Sequence, residues 1–321
     1  MIGTAVPSRA AKCLPAFFLA AFLLRLASQA AVVDGLVSYW PLDVSNGGIT
    51  PDLSFSNQMI INGGATVVAG QFSNAFSFNG SSQYLINYHS TNNANSGLPI
   101  WRAGTYTVAM WVKGAAQANK YLFSEGNTNT TLPIFVIQTG LSDGSKLDVI
   151  LRNNTGQNLI SHVTSSGVVF DNTWHHIAWV DNLGSVKLYI DGTLDPASAA
   201  LNFDYNRIEG TVTLNDTVIG CLVRTGVSTA NIFNGLIDEV TVWERLLSPD
   251  EVNQVRTNGV YLSGQLISAR PAIITSLPAD AEAHVSDTQV FSVGASGNRP
   301  LTYQWLLDGT NLADNARITG S

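Results

Sequence analysis

The sequence predicts an all-β fold, an antiparallel β-sandwich or jelly roll, on three observations. Short runs rich in β-branched and aromatic residues recur from Val32 onward, each bounded by Gly, Asn, Ser or Pro. No amphipathic helical period occurs between Val32 and Gly235. Only 12% of the residues are charged while 45% are hydrophobic, so the polar surface falls to Asn, Ser, Thr and Gly, a profile that suits an extracellular β protein.

Taken in order, Leu36 to Trp40 reads as the first strand, stopped by Pro41, and Asp52 to Asn57 as a loop without a period. Met59 to Asn62, Ala75 to Asn79 and Gln83 to Tyr88 follow as strands. Thr105 to Lys113 is a long strand with apolar residues on both faces. Tyr121 to Ser124, Ile134 to Ile137 and Leu147 to Arg152 continue the series. Trp174 to Val180 and Ser185 to Ile190 read as a hairpin joined by Asp181-Asn182-Leu183-Gly184, and Thr217 to Gly220 leads on to Gly235. Gly235 to Trp243 is the closing strand. Alternate residues of a strand share a face, so strict alternation sets Leu236, Asp238, Val240 and Val242 on one side and Ile237, Glu239, Thr241 and Trp243 on the other. The first face is apolar except for Asp238. A carboxylate there must be paired, hydrogen-bonded or bound to a cation. Ser248-Pro249-Asp250-Glu251 then opens a helix with an N-cap, a proline at the first position and a capping box, and Asn258-Gly259 closes it.

A length of 321 residues fits two domains. The net charge of −7 without a basic run argues against nucleic acid and anionic membranes as partners. Arg9 and Lys12, the apolar stretch Leu14 to Leu24 and the small-x-small site Ser28-Gln29-Ala30 predict a signal peptide over residues 1–30, export to the cell surface or medium, and no membrane insertion after cleavage. Cys13 leaves with the signal. Cys221 is then alone in the mature chain and is expected to be a buried small residue.

Several motifs resemble a known family. Val37 to Asp43, the loop Asp52 to Asn57, Phe76-Ser77-Phe78-Asn79-Gly80 with Gln83-Tyr84, Trp174 to Val180, Leu188 to Gly192 and Gly235 to Trp243 look like the LamG-like jelly-roll domain, a laminin G and pentraxin relative within the concanavalin A-like superfamily. The resemblance covers residues 32–262. A linker is expected at 263–271. Residues 272–321, with Tyr303-Gln304-Trp305 and Asp308-Gly309, resemble the start of a bacterial immunoglobulin-like β-sandwich. Its later strands are missing, so further domains of the same polypeptide are expected beyond Ser321.

The resemblance implies a calcium ion held by Asp52 and Asp238 with carbonyls near Ser54 or Asn57, since hard oxygen ligands from an irregular loop suit calcium. The competing reading has Asp238 accept backbone N–H groups or pair with an arginine. Catalysis is not expected. Glu239 is set opposite Asp238 by alternation, and Leu236 stands where related glycosidases carry a second acid, so a facing carboxylate pair is lacking. His175 and His176 face opposite ways, and His162 and His89 are isolated, so structural roles are expected for all four. Trp111, Trp174, Trp179 and Trp243 are expected in the core, leaving Trp101, between Pro99 and Gly104, as the candidate ligand-binding residue. Asn79, Asn129, Asn153 and Asn215 begin glycosylation sequons, which carry no weight in a chain with bacterial features. The expected function is non-catalytic recognition of a glycan or extracellular protein, or adhesion. The alternative is an accessory carbohydrate-binding module of a larger secreted enzyme.

Overall fold

The computed structural model describes residues 32–54, 57–89, 104–132, 134–153, 155–203 and 214–260, with short stretches between 273 and 311. The expected signal, linker and Trp101 lie outside them. In chain order the strands are β1 (Leu36–Trp40), β2 (Ile49–Thr50), β3 (Met59–Asn62), β4 (Thr66–Ala69), β5 (Asn74–Asn79), β6 (Tyr84–Tyr88), β7 (Thr105–Lys113), β8 (Tyr121–Gly126) and β9 (Ile134–Thr139). Then come β10 (Leu147–Arg152), β11 (Asn158–Thr164), β12 (His175–Asn182), β13 (Ser185–Ile190), β14 (Thr193–Leu194), β15 (Asp216–Ile219), β16 (Leu222–Arg224), β17 (Ser228–Ala230) and β18 (Asn234–Trp243). One helix, α1 (Pro249–Asn258), follows.

Sheet A runs β14-β13-β12-β7-β18-β5-β4, with β1 also paired to β18, and sheet B runs β11-β10-β9-β8-β15-β6-β3-β2. Every pairing within them is antiparallel. The inner faces share one apolar core. Phe76, Phe78, Val108, Met110, Trp179, Ile237 and Val240 come from sheet A; Leu85, Phe123, Phe135, Ile137, Val149 and Leu151 come from sheet B. This is the jelly-roll sandwich that the strand pattern predicts. Beyond residue 260, Ile273–Ser276 pairs with Gly294–Ser296 and Leu306–Leu307 with Thr310–Asn311; the rest of the expected immunoglobulin-like unit lies outside the described residues.

The β12–β13 hairpin turns more tightly than the sequence reading has it. The strands pair through Asn182 and Ser185, leaving Leu183 and Gly184 as a two-residue loop with φ of 50° and 91°. Both signs match the turns whose twist fits an antiparallel hairpin. Asp181 Oδ1 accepts the Gly184 N–H at 2.8 Å.

The closing strand departs from strict alternation. Its register against β7 slips between Asp238 and Thr241, and Glu239 takes a left-handed φ of 54°. Here two residues of β18 face one of β7, a β-bulge. Ile237, Val240 and Val242 therefore all enter the inter-sheet core, while Trp243 joins the outer side. The expectation that Asp238 shares a face with Val240, and that Glu239 points the other way, is corrected. Asp238 is the cross-strand partner of Trp111, which like Trp243 stays out of the inter-sheet core. Glu239 receives the hydroxyl of Tyr39, another outer-face residue. Both acids project outward from sheet A.

On that outer side α1 packs Val252 and Val255 against Leu36, Tyr39, Ala109, Ala178, Tyr189 and Trp243. The helix starts as its sequence predicts, with Pro249 in the first turn and a complete capping box between Ser248 and Glu251. Gly259 closes it at φ 64°, a conformation glycine takes without strain. Ser248→Ala removes one side of the capping box. It should lower unfolding stability by about 1 kcal/mol without changing the far-ultraviolet circular dichroism. An unchanged midpoint in urea unfolding would show that the cap contributes nothing to the docked helix.

Candidate ligand-binding face

Asp52 is built into the loop that follows β1. Its Oδ1 accepts the Tyr39 N–H at 2.9 Å, the Ser54 N–H at 2.8 Å and the Ser54 hydroxyl at 2.8 Å, and its Oδ2 accepts the Asn57 N–H at 3.2 Å. The carbonyl of Asn57 is taken by the Trp40 indole N–H at 2.6 Å. Donors therefore surround the carboxylate where calcium would need oxygen ligands. Among the described residues no group of three His, Cys, Asp or Glu side chains is placed to hold a metal ion. Asp52 as placed is occupied by N–H and O–H donors, and Asp238 keeps a separate set, the N–H groups of Gln71 and Phe72.

Asp238 answers to different partners. Its Oδ2 accepts the N–H groups of Gln71 and Phe72, both at 2.9 Å. Gly70 permits this approach, because a Cβ there would stand 2.7 Å from that oxygen. Beside it, both oxygens of Glu239 lie 2.9 Å from the Tyr39 hydroxyl. Burial raises the pKa of each acid above the ordinary carboxylate range; the Asp238 charge raises Glu239 further, and the Asp43 charge raises both. The link that the sequence reading assigned to calcium, from the N-terminal loop to the closing strand, is made by Tyr39: its N–H goes to Asp52 and its hydroxyl to Glu239.

The outer face of sheet B carries a polar row that crosses four strands. Thr164 on β11 opposes Asp148 on β10, Asp148 opposes Gln138 on β9, and Gln138 opposes Tyr121 on β8. Their chain neighbours Val163, Leu147, Val149 and Ile137 fill the inner core, so the row faces out. The β16–β17 hairpin lies over the same face, seating Leu222 on Ile134, Val136 and Ile150, and Val223 on Ile86 and Val218. It reaches the row at Tyr121, which packs against the Leu222 cluster and donates its N–H to the Asn231 carbonyl at 2.9 Å.

His162 joins this row through a second bulge. The β10–β11 register shifts between Val149 and Leu151, and His162 takes φ 44°. Its Nδ1 lies 2.8 Å from Asp148 Oδ2, and the imidazole remains about 31% exposed while Asp148 is buried. Gln138 Nε2 donates to the same oxygen at 2.8 Å and the Thr164 hydroxyl to Asp148 Oδ1 at 3.2 Å. Asp148 thus holds the proton on Nδ1 and leaves Nε2 directed away from the acid. Gln138 Oε1 is buried without a partner. The expectation of an isolated, structural His162 misses this arrangement. The signal was present: Asp148 interrupts an apolar strand just as Asp238 does.

The remaining histidines are each packed against a partner. His175, the first residue of β12, contacts Asp191 at 2.7 Å and Asp171 at 3.3 Å. His176 is buried on the outer face of sheet A beside Trp111. His89 is buried against the Thr217 hydroxyl. Trp111, Trp179 and Trp243 are buried; Trp174 is half-buried.

A family model described as the concanavalin A-like lectin/glucanases superfamily, Laminin_G_3, matches residues 79–253, more than half of the chain. The chain belongs to this family. The polar row and Asp238 fall inside the matched segment of the laminin G domain, and Asp52 falls before it. The pentraxin-related protein PTX3 of Mus musculus is 27% identical over 152 residues, which are 46% of this chain and 38% of that protein's length. The chain therefore spans well under half of this curated relative. Among solved structures, the binding domain of botulinum neurotoxin serotype D/C VPI 5993 superposes with a TM-score of 0.52 at 11% identity, covering 77% of this chain and 55% of that one. The binding domain of botulinum neurotoxin DC in complex with SialylT gives 0.51 at 12% identity, covering 70% and 52%. At these identities the likeness is one of fold.

Cys221 lies buried under the β16–β17 hairpin of the laminin G domain, as expected. Burial and the nearby Asp216 charge push its thiol pKa far up, so it stays a protonated, unreactive thiol.

Two predictions follow from this geometry. Asp52→Ala strands at least two buried N–H groups. It should destabilise the laminin G domain by at least about 2 kcal/mol, equally in calcium and in chelator. A loss seen only in calcium would restore the metal reading. The second concerns pH. Burial pushes the Asp216 carboxyl up to about 7, and Asp238 and Glu239 shift the same way. The folded state then keeps protons that the unfolded chain gives up above about pH 4, so stability declines as pH rises through the folded value. His176, lowered to about 3 by burial, acts oppositely: the unfolded chain takes its proton below about 6.5, and stability falls in acid. The thermal midpoint should therefore drop from pH 6.5 to pH 8.5, with a gentler slope in Asp216→Asn. A midpoint that rises across this range contradicts the assignment.

Proposed function

We propose that the laminin G domain is a non-catalytic extracellular recognition module that binds a glycan along the outer face of sheet B. The observation that carries this reading is the outward row Thr164–Asp148–Gln138–Tyr121 with His162 at its end. It offers what a hydroxyl-rich ligand needs. The partly exposed His162 imidazole and the Thr164 oxygen, whose proton goes to Asp148, are polar groups a ligand can reach, and the half-buried Tyr121 ring gives a surface for a sugar face. Asp148 orients the others by taking three hydrogen bonds.

The same row argues against hydrolysis. Glycoside cleavage uses two carboxyl groups flanking the scissile bond. Asp148 is opposed across the strands by a threonine and a glutamine, and the adjacent acids Asp238 and Glu239 are buried on the other sheet. The predicted signal peptide supports an extracellular setting, and the family description includes lectins. Adhesion to a glycan-coated surface fits this reading without any catalytic step.

A labelled full-length protein should bind a subset of neutral glycans on an array. Gln138→Ala and His162→Ala should each weaken that binding at least tenfold, about 1.4 kcal/mol; Gln138→Ala, which takes a donor from the buried Asp148, should also lower the unfolding midpoint. Binding that survives both substitutions moves the site off this face. Binding to protein targets alone replaces the glycan reading.

A further inference from the structure

Three buried polar atoms on the outer face of sheet A lack hydrogen-bond partners: Trp111 Nε1, His176 Nδ1 and Asp238 Oδ1. They belong to neighbours in one row. Trp111 on β7 opposes Asp238 on β18 and His176 on β12. Trp111 is 6% exposed, His176 1% and Asp238 fully buried. Native proteins rarely leave such groups unpaired, and three side by side is a local concentration of unmet hydrogen bonding.

The surroundings explain why they do not satisfy one another. The indole meets the His176 ring edge-to-face, with centroids 5.3 Å apart, and the Phe72 ring at 6.1 Å. The Asp238 carboxylate is fixed by its other oxygen, which holds the Gln71 and Phe72 N–H groups. The segment after β4 thus pins the acid and sets Phe72 over the indole in one move. Sheet A lies below, and the turn at Asp191 stands beside His176, whose N–H donates to Asp191 Oδ1.

The chemistry of the three atoms selects a ligand class. The indole N–H can only donate, so it disfavours a cation; the Asp238 carboxyl disfavours an anion. Burial keeps the His176 ring neutral, leaving it one donor and one acceptor nitrogen. A hydroxyl accepts from the indole while donating to Asp238 or His176, and no simpler neutral group does both. We propose that Trp111, His176 and Asp238 form a second, hydroxyl-binding site on the outer face of sheet A, closed over by the 70–73 loop. The hydroxyl comes from solvent water or from a sugar or other polyol. This site stands on a different sheet from the proposed glycan row and does not depend on it.

The Trp111 indole N–H resonance of the full chain is the readout, assigned by its loss in Trp111→Phe. The titration is run in a Gln138→Ala, His162→Ala background, so that failure of the sheet B site leaves it untouched. A long-lived water cross-peak to the indole N–H, unchanged by glycerol or methyl glycosides, establishes the site with water as its hydroxyl. A saturable shift of that resonance with a polyol, abolished in Asp238→Asn, establishes a ligand hydroxyl. Phe72→Ala removes the cover without altering the three polar atoms, and should speed solvent exchange of the indole N–H at least tenfold. An indole N–H that shows neither a water contact nor a polyol shift overturns the proposal, as does one whose exchange ignores Phe72→Ala.

Discussion

The bulge at Glu239 is the constraint on which the rest of the sandwich depends. Strand β18 pairs with β7 on one side and with β5 and then β1 on the other. Strict alternation would drive Asp238 into the core shared with Trp40, Met110 and Val242. An unpaired carboxyl there would lose its hydration with no donor in reach. The bulge rotates the acid outward and keeps Ile237 and Val240 inward. A left-handed glutamate is disfavoured by roughly 1–2 kcal/mol, a small penalty beside the one it avoids. On the outer side donors are waiting: Gln71 and Phe72 for Asp238, Tyr39 for Glu239. The two acids thereby draw the 70–73 loop and the first strand onto the closing strand.

Tyr39 extends this arrangement to the N-terminal loop. Its main chain meets Asp52 and its hydroxyl meets Glu239. Asp52 in turn fixes Ser54 and Asn57, and Asn57 receives the Trp40 indole on its carbonyl and donates its side-chain amide to Ser38. An irregular loop is held to a sheet by neutral donors, several of them gathered around one carboxylate. A metal ion could tie the same segments together, yet it would need the N–H groups at Asp52 turned away.

Much of the fold was legible in the sequence because strands announce themselves through β-branched runs and turn residues. The helix was legible down to its cap, since Ser248, Pro249 and Glu251 are local signals. Asp238 was legible as an anomaly but its face was not. A bulge changes one dihedral angle without changing composition, and its faint trace is the doubled acid Asp238-Glu239, one polar residue more than alternation accommodates. The row on sheet B was harder still. Asp148 carries the same anomaly, but Thr164, Gln138 and Tyr121 gain meaning only from the register of four strands, and His162 reaches Asp148 only through a bulge. Register between strands is set by tertiary packing, and a single sequence does not display it.

The two outer faces are covered to different degrees, and this difference points to where an extended ligand can lie. On sheet A, α1 and the segment around Val32 fill one end with a second apolar cluster, while the 70–73 loop closes over Trp111 and Asp238 at the other. What remains there is three buried polar atoms without partners. On sheet B the β16–β17 hairpin covers Val136, Ile150 and Val218 but ends two residues along the strands from Gln138 and Asp148. The row spans four strands at about 4.8 Å each, roughly 14 Å from Thr164 to Tyr121, with Gln138 and Asp148 buried between the exposed Thr164 and the half-buried Tyr121. Under the proposed function a row that long, accessible at Thr164, His162 and Tyr121 and rooted in a packed core, meets several hydroxyls along a chain. The buried trio beneath Phe72 can read only one.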